Sequence, residues 1–421
     1  MQITVKNRIL IFVIMMVVVP LLAESIYSPG LPALAESFGV SDGLAESTLS
    51  IYLFGMSIGV LCWGNLSDLI GRKPVVLIGC GMFLISSIVC YWTTTFSWFM
   101  FWRFFQAFGG SVSCVAQSVN RDVFDQRERM ALSAKIGTAV SIAPAVGAMV
   151  GGFITENFGW RQSFLFLIVV ACAISTLFLV ALPETKKGPF LRQDSGSFLA
   201  AIWRVVSDVN LLFNSTIIGL GLGILYTFMS EGAFYCIEAL SMSSEGYGMI
   251  CAAGSLVYAL GCSITSQLIK RGIRYQQVML FGVAMMCFGF ALFDLVIYSG
   301  LLTRPITGAV SDLSAFWVLA LLWVFSSLGL SFTLTPCFAN ALEHQRENAG
   351  VAASMFAFAY NLISTLVLLV MSSLHAEHLY AMPTYFFAVT LLIWIACEIL
   401  FRSQRATVDH AESAVPSIEI A

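Results

Sequence analysis

Apolar residues along this 421-residue chain are gathered into blocks, each closed by a short polar break. The blocks are about 20 residues long, the length needed to cross ~30 Å of hydrocarbon. They lie near 9–33, 46–66, 75–94, 97–119, 132–154, 162–182, 211–236, 246–269, 276–299, 313–339, 348–373 and 380–402 and predict twelve transmembrane helices. Lys6 and Arg8 before the first block imitate a signal peptide, but no small-x-small cleavage site follows, so this block is expected to be an uncleaved helix. The longest polar break, 184–208, has a linker composition and divides the chain into halves 1–183 and 209–403. A weak repeat relates the halves: AQSVNRDVFDQRERMALSAK around spans 4 and 5 has a counterpart in TPCFANALEHQRENAGVAAS around spans 10 and 11. The expected fold is an all-α membrane protein with two pseudo-symmetric six-helix halves. The polar tail 404–421 is expected to be disordered.

Charge tests this arrangement, because Lys and Arg collect in short cytoplasmic loops. With the N-terminus inside, 18 of the 21 cations fall on the cytoplasmic side, Arg161 and Arg304 fall outside, and Arg103 is left within a span. A missed span would scramble that count, so both termini are expected in the cytoplasm, with the chain multi-pass in the inner (plasma) membrane. Composition agrees: 58% of residues are hydrophobic and 11% charged, against about a quarter charged in soluble domains. The eleven cysteines sit in apolar blocks with no CxxC pair or histidine cluster and read as small core residues. No metal, cofactor or nucleic-acid partner is called for; the partners expected are a small-molecule substrate, protons and the lipid bilayer, with the chain as a monomer.

The polar break between spans 2 and 3 reads GNLSDLIGRK, Gly64 to Lys73. Gly64 would let span 2 approach a neighbour, Gly71 would permit a tight turn, and Asp68, Arg72 and Lys73 could pair with charges on adjacent helix ends. Arg121 and Asp122, at the inner end of span 4, are the expected partners in a gating latch. The alternative is a plain positive-inside hairpin.

This loop resembles the signature of the major facilitator superfamily, and further matches follow in order. Arg103-Phe104-Phe105-Gln106 resembles the family's Arg-x-x-Gln of span 4, with Ala107 where glycine is usual. Gly137 to Gly152 (GTAVSIAPAVGAMVGG) resembles the antiporter motif of span 5, and Leu182-Pro183-Glu184-Thr185 the close of span 6. With Tyr27-Ser28-Pro29-Gly30-Leu31-Pro32 and the span 10–11 segment, the chain is most similar to the bicyclomycin/chloramphenicol-resistance (Bcr/CflA) branch of drug–proton antiporters. That resemblance implies proton-coupled multidrug efflux by alternating access. One departure stands out: Ser25-Ile26-Tyr27 replaces the branch's usual Asp-Met-Tyr.

Glu24, one residue earlier, is the expected substitute. A carboxyl within a span costs on the order of 3 kcal/mol on insertion scales and marks a functional position. At 1.5 Å per residue Glu24 lies roughly 22 Å from the inner end of span 1 and Arg103 roughly 9 Å from the outer end of span 4, so the two reach similar depth. Glu24 is expected to carry the proton and Arg103 to tune it; the alternative has both facing the outer headgroups. In span 4, Arg103, Gln106, Gly110, Ser113, Gln117 and Asn120 recur in steps of three and four, which predicts one polar face, either a cavity wall or a source of interhelical hydrogen bonds. Tyr27, Gln106, Gly110, Gln117 and Asn361 are the expected cavity residues. Span 5 carries Gly137, Ser141, Ala145, Ala148 and Gly152 on one small-residue face, with Pro144 permitting a bend in a gating motion. Glu231, Tyr235, Glu238 and Asp294 are expected at the outer interface, hydrated rather than proton-carrying. No phosphate-binding loop or catalytic constellation appears, so an enzyme is not expected. Rival readings are a metabolite importer or exporter on the same fold and a non-transporting membrane sensor.

Overall fold

The computed structural model describes residues 2–186, 203, 207–299, 309–341, 349–375 and 381–413. Most of the expected linker, Arg304, the 342–348 loop and the end of the tail lie outside those residues. The chain runs through α1 (Gln2–Ser25), α2 (Leu31–Phe38), α3 (Asp42–Ile70), α4 (Arg72–Trp92), α5 (Phe96–Gly110), α6 (Val115–Val123), α7 (Gln126–Phe158) and α8 (Arg161–Ala181). It continues through α9 (Val209–Phe234), α10 (Ser244–Lys270), α11 (Tyr275–Tyr298), α12 (Ala309–Asn340), α13 (Ala349–His375) and α14 (Met382–Ser413). Among the described residues eleven segments are long and apolar enough to cross a membrane, α1 and α2 counting together as one.

The predicted fourth span is the exception: it is interrupted by a 3₁₀ turn over Ser111–Cys114, between α5 and α6. Close packing accompanies the break. A Cβ on Gly109 would lie 2.7 Å from the Gly79 carbonyl oxygen, and one on Gly110 would lie 3.3 Å from the Pro20 side chain. The first span breaks likewise at residues 26–30, where Pro29 removes a backbone donor, and α2 then starts with Pro32 in its first turn, where no donor is needed. Residues 404–413, expected to be disordered, instead continue α14. They contain good helix formers and no Gly or Pro, and Gln404 is anchored by the Tyr275 hydroxyl at 2.5 Å and the Asn210 side chain at 3.2 Å.

Helix starts follow local chemistry. Asp125 and Glu128 form a reciprocal capping box at α7, Asp208 accepts from the Asn210 and Leu211 amides at α9, and Ser243 accepts from the Gly246 amide at α10. Lys6 bonds Glu128 at 2.7 Å and ties the first helix to the start of α7.

The first six spans meet the last six along two seams, α3 against α13 and α7 against α10. One buried apolar cluster runs through both groups, joining Tyr27, Leu31 and Ala45 to Phe228, Phe234 and Tyr247. A second, with Ile9, Phe12, Trp63, Val75 and Phe178, is confined to the first group, toward the face bearing the Gly64–Lys73 loop.

The α7–α10 seam is unequal along its length. On the face opposite the loop, a Cβ on Gly152 would sit 2.5 Å from the Ser244 carbonyl, and one on Gly248 2.5 Å from the Ala148 carbonyl. Glu156 accepts from the Ser244 amide at 2.9 Å, Ser28 donates to the Met229 carbonyl, and Ser372 donates to the Gly43 carbonyl at 2.5 Å. Toward the loop face, a Cβ on Gly137 would meet nothing within 4 Å. On the far face the α7–α10 seam is closely packed, whereas toward the loop face α7 has open space at Gly137.

Candidate functional site

Glu24 lies near the end of α1, one turn beyond Pro20, and is 2% exposed. Close packing presses this stretch of α1 inward: Gly147 of α7 lies against Ser25, and Gly151 against the Ile26 backbone. Tyr226 of α9, across the seam, and Arg103 of α5 are electrostatic neighbours of the Glu24 carboxyl, whose Oε1 has no hydrogen-bond partner among the described residues. Glu24 and Arg103 are both buried inside the protein.

Arg103 is fully buried, with its Cζ 4.0 Å from the Tyr27 ring centre and 4.4 Å from that of Tyr52. Aromatic faces on both sides replace water around the cation. The Tyr27 hydroxyl lies 3.3 Å from Thr48 Oγ1, and the Tyr52 hydroxyl donates to the Pro20 carbonyl at 3.0 Å. Arg103 Nη1 donates to Gln106 Oε1 at 2.5 Å, and Gln106 Nε2 donates to Ser87 of α4 at 2.7 Å.

These bonds correct two cavity assignments. Gln106 holds Arg103 against α4 and is wholly buried, and Gly110 packs against Pro20 and Phe83. The helix breaks at Ser111–Cys114, and Gln106 and Gly110 of the expected polar face are used for contacts within the first group of helices. Gln117 is exposed on α6. Asn361 is buried on α13 and donates to the Ala357 carbonyl at 2.9 Å, and its neighbour Tyr360 is electrostatically coupled to Glu24. Tyr226, Tyr52 and Tyr360 escape a sequence reading because a tyrosine in an apolar helix looks like any packing aromatic.

The Gly64–Lys73 loop forms a second polar centre. Arg72 opens α4 and is 3% exposed. Its Nη1 donates to Ser67 Oγ and Asp68 Oδ1, each at 2.6 Å, and its Nε to Asp122 Oδ2 at 3.1 Å. Arg121 is exposed and joins no ion pair among the described residues; the helix turns Asp122 toward Arg72 and its neighbour outward. Gly71 has φ +102° and ψ 164°, a conformation in which a side chain is strained, and a Cβ there would lie 2.7 Å from Glu184 Oε2. Gly64 faces Ser354 of α13, whose Oγ would lie 3.1 Å from a Cβ, so the close approach expected of this glycine occurs across the seam.

Glu184 is the partner the sequence reading missed. Its carboxylate accepts from the backbone amides of Arg72 at 3.1 Å, Lys73 at 3.0 Å, and Thr185 and Lys186 at 2.9 Å each, occupying the positive end of α4. Lys186 adds a bond to the Asp68 carbonyl. All the partners of Arg72 and Glu184 belong to the first six spans, so the centre binds α3, α4, α6 and the end of α8 together and does not itself bridge the two groups. Pro144 lies inside α7, which continues unbroken through it.

Partial burial pushes the Glu184 carboxyl up, but the four amide donors outweigh it and hold it below its ordinary value. A depressed carboxyl contributes stability above the unfolded value, about 4.3, and loses it as pH falls through the folded value. Glu184→Gln is therefore expected to lower the melting temperature at neutral pH, by the equivalent of at most about 1 kcal/mol for so solvent-screened a group. The gap to the wild type should close in acid; a gap unchanged down to about pH 3 would assign the loss to packing.

Glu231, expected at a hydrated interface, is fully buried, and the equally buried Glu46 of α3 is its electrostatic neighbour. The helical path continues past Glu231 through a π turn, Tyr235–Ala239, which carries it well inside the span end. Glu238 is exposed, and Asp294 accepts from Thr384 Oγ1 at 2.8 Å at the edge of the bundle.

The comparisons with known proteins agree with this architecture. The family model described as Major Facilitator Superfamily matches residues 13–303. The chain is 30% identical over 361 residues to an uncharacterized transporter of Rickettsia bellii (strain RML369-C), covering 85% of this chain and 87% of the relative. It is 28% identical over 291 residues to the multidrug resistance protein MdtL of Escherichia coli O81 (strain ED1a), covering 63% and 73%. Its fold is similar to that of the xylose transporter XylE from E. coli, with a TM-score of 0.73 at 13% identity over 94% of this chain and 97% of that one. The chain belongs to the major facilitator superfamily and is a multi-pass membrane transporter, not an enzyme.

Proposed function

We propose that this protein is a proton-coupled exporter of small organic compounds, of the bicyclomycin/chloramphenicol-resistance branch, working by alternating access in the plasma membrane as a monomer. The observation that carries this reading is a carboxyl, Glu24, buried inside the protein with the buried cation of Arg103 as its electrostatic neighbour. An intramembrane carboxyl that meets a cation and a mobile seam is suited to taking up and releasing a proton as access alternates. Glu24 carries the proton, Arg103 tunes it, and Tyr27 and Asn361 border the space in which proton and substrate compete. The loop face, rich in Lys and Arg, is the cytoplasmic face. Closure of the α7–α10 seam on the far side, with Gly137 open on the loop side, then corresponds to access from the cytoplasm. Gly64, Asp68, Gly71, Arg72 and Asp122 keep the first six spans rigid while they rock, and Pro144 lets α7 adapt. The similarity to a multidrug resistance protein of E. coli supports drug-like cargo.

Proteoliposomes with an acid lumen test the reading. An antiporter exchanges outgoing protons for incoming substrate, so compounds from a panel of toxic organic molecules should accumulate inside. A proton symporter, the metabolite-importing rival, would deplete them under the same gradient, and a sensor would move none.

A further inference from the structure

We infer that Glu156 is a latch of the outer gate: its carboxylate, carried on α7, caps the start of α10 across the seam and holds the outer side closed. The inference rests on alternating access and on no assignment of the proton carrier.

The latch is built where the two helices come closest. A Cβ on Gly152 of α7 would sit 2.5 Å from the Ser244 carbonyl, and Glu156 follows Gly152 by one helical turn. That approach brings the Glu156 carboxylate to the Ser244 amide, which donates to it at 2.9 Å. Ser244 is the first residue of α10, and the amides of a first helical turn find no partner within their own helix. The start of α10 is therefore served twice. Ser243 of its own chain accepts from the Gly246 amide at 3.0 Å, and Glu156 accepts from the other six spans. An anion placed there also meets the positive end of the helix dipole. The broken first span holds α7 from behind, since Gly151 lies against the Ile26 backbone and Thr155 against Gly30. Glu156 is thus presented from a fixed position.

The remaining fasteners on this face differ in kind. The glycine contacts and the Ser28 to Met229 and Ser372 to Gly43 bonds are neutral, whereas Glu156 brings a formal charge. It is also exposed. When the outer side opens, the carboxylate and the α10 amide both pass to water, and no charge is stranded in an apolar place. An exposed capping charge weighs a few-fold in an equilibrium, which suits a contact that has to break in every cycle. A contact made in one state and lost in the other shifts the balance by its own free energy.

The test uses the full-length protein in lipid nanodiscs without substrate. Fluorophores are placed through non-natural amino acids at Thr94, between α4 and α5, and Ser299, at the end of α11, both exposed on the far face. Single-molecule energy transfer then reports the width of the outer side. Glu156→Gln keeps the shape and an acceptor oxygen but loses the charge, and should raise the open-to-closed ratio about 3-fold. Glu156→Lys sets a cation against the positive helix end and should raise it ~10-fold. In about 1 M salt, where charges are screened beyond ~3 Å, the Lys variant should move back toward the wild type. If the wild type switches between two widths and both variants superimpose on it, or if the Lys shift is the same at low and high salt, the latch is overturned while alternating access stands. A single outer width in every variant at both salt concentrations counts against alternating access itself and takes this inference with it.

Discussion

Glu24→Gln is expected to abolish accumulation driven by an acid lumen, reducing it at least ~10-fold, a loss at the scale of a typical coupling free energy. Glutamine has the shape of the protonated acid, so the fold should be retained and the melting temperature should stay close to that of the wild type. What is lost is the ability to alternate between a charged and a neutral state beside Arg103. Exchange of labelled for unlabelled substrate at equal pH needs no net proton movement and should persist. Accumulation at the wild-type level would exclude Glu24 as the proton carrier and leave Glu46 and Glu231, the other buried carboxyls at the seam, as the groups to examine.

Arg72→Ala is expected to give the largest loss of stability among single changes in the loop, about 2–3 kcal/mol. The guanidinium is 4% exposed and satisfies Ser67, Asp68 and Asp122 at once. Removing it leaves Asp122, 18% exposed, without its cation, whereas Asp68, at 57%, can turn to water. The expected order of destabilisation is therefore Arg72→Ala, then Asp122→Asn, then Asp68→Asn, the last below about 1 kcal/mol. Arg72→Lys should fall between, because a point charge cannot serve the same fork of acceptors. Unfolding of a chain with this many spans is not two-state, so the comparison is best made as melting temperatures in one detergent. Asp68→Asn as damaging as Arg72→Ala would show that the exposed arm of the bridge dominates.

Much of the local architecture was legible in the sequence, and the reason is the solvent. In hydrocarbon each span must be apolar and satisfy its own backbone, so block length revealed the helices one by one. The same constraint made the signature loop readable: Gly71 in a positive-φ turn and Arg72 against Asp68 and Asp122 are short-range arrangements. The fourth span departed from the reading where Gly109 and Gly110 meet α4 and α1, because that contact involves helices remote in the sequence.

Which residues meet across helices was decided by tertiary structure alone. A span that is apolar all round presents no periodic signal for its partner, and contacts between helices depend on small residues whose neighbours lie a hundred or more positions away. The sequence by itself determined the spans and the charged loop. Only the packed structure turned Gln106 into a brace for Arg103, brought Glu184 onto the start of α4, and buried Glu231 and Glu46. The bilayer dictates each helix separately, whereas the polar pairs inside the bundle exist only once the helices have chosen their neighbours.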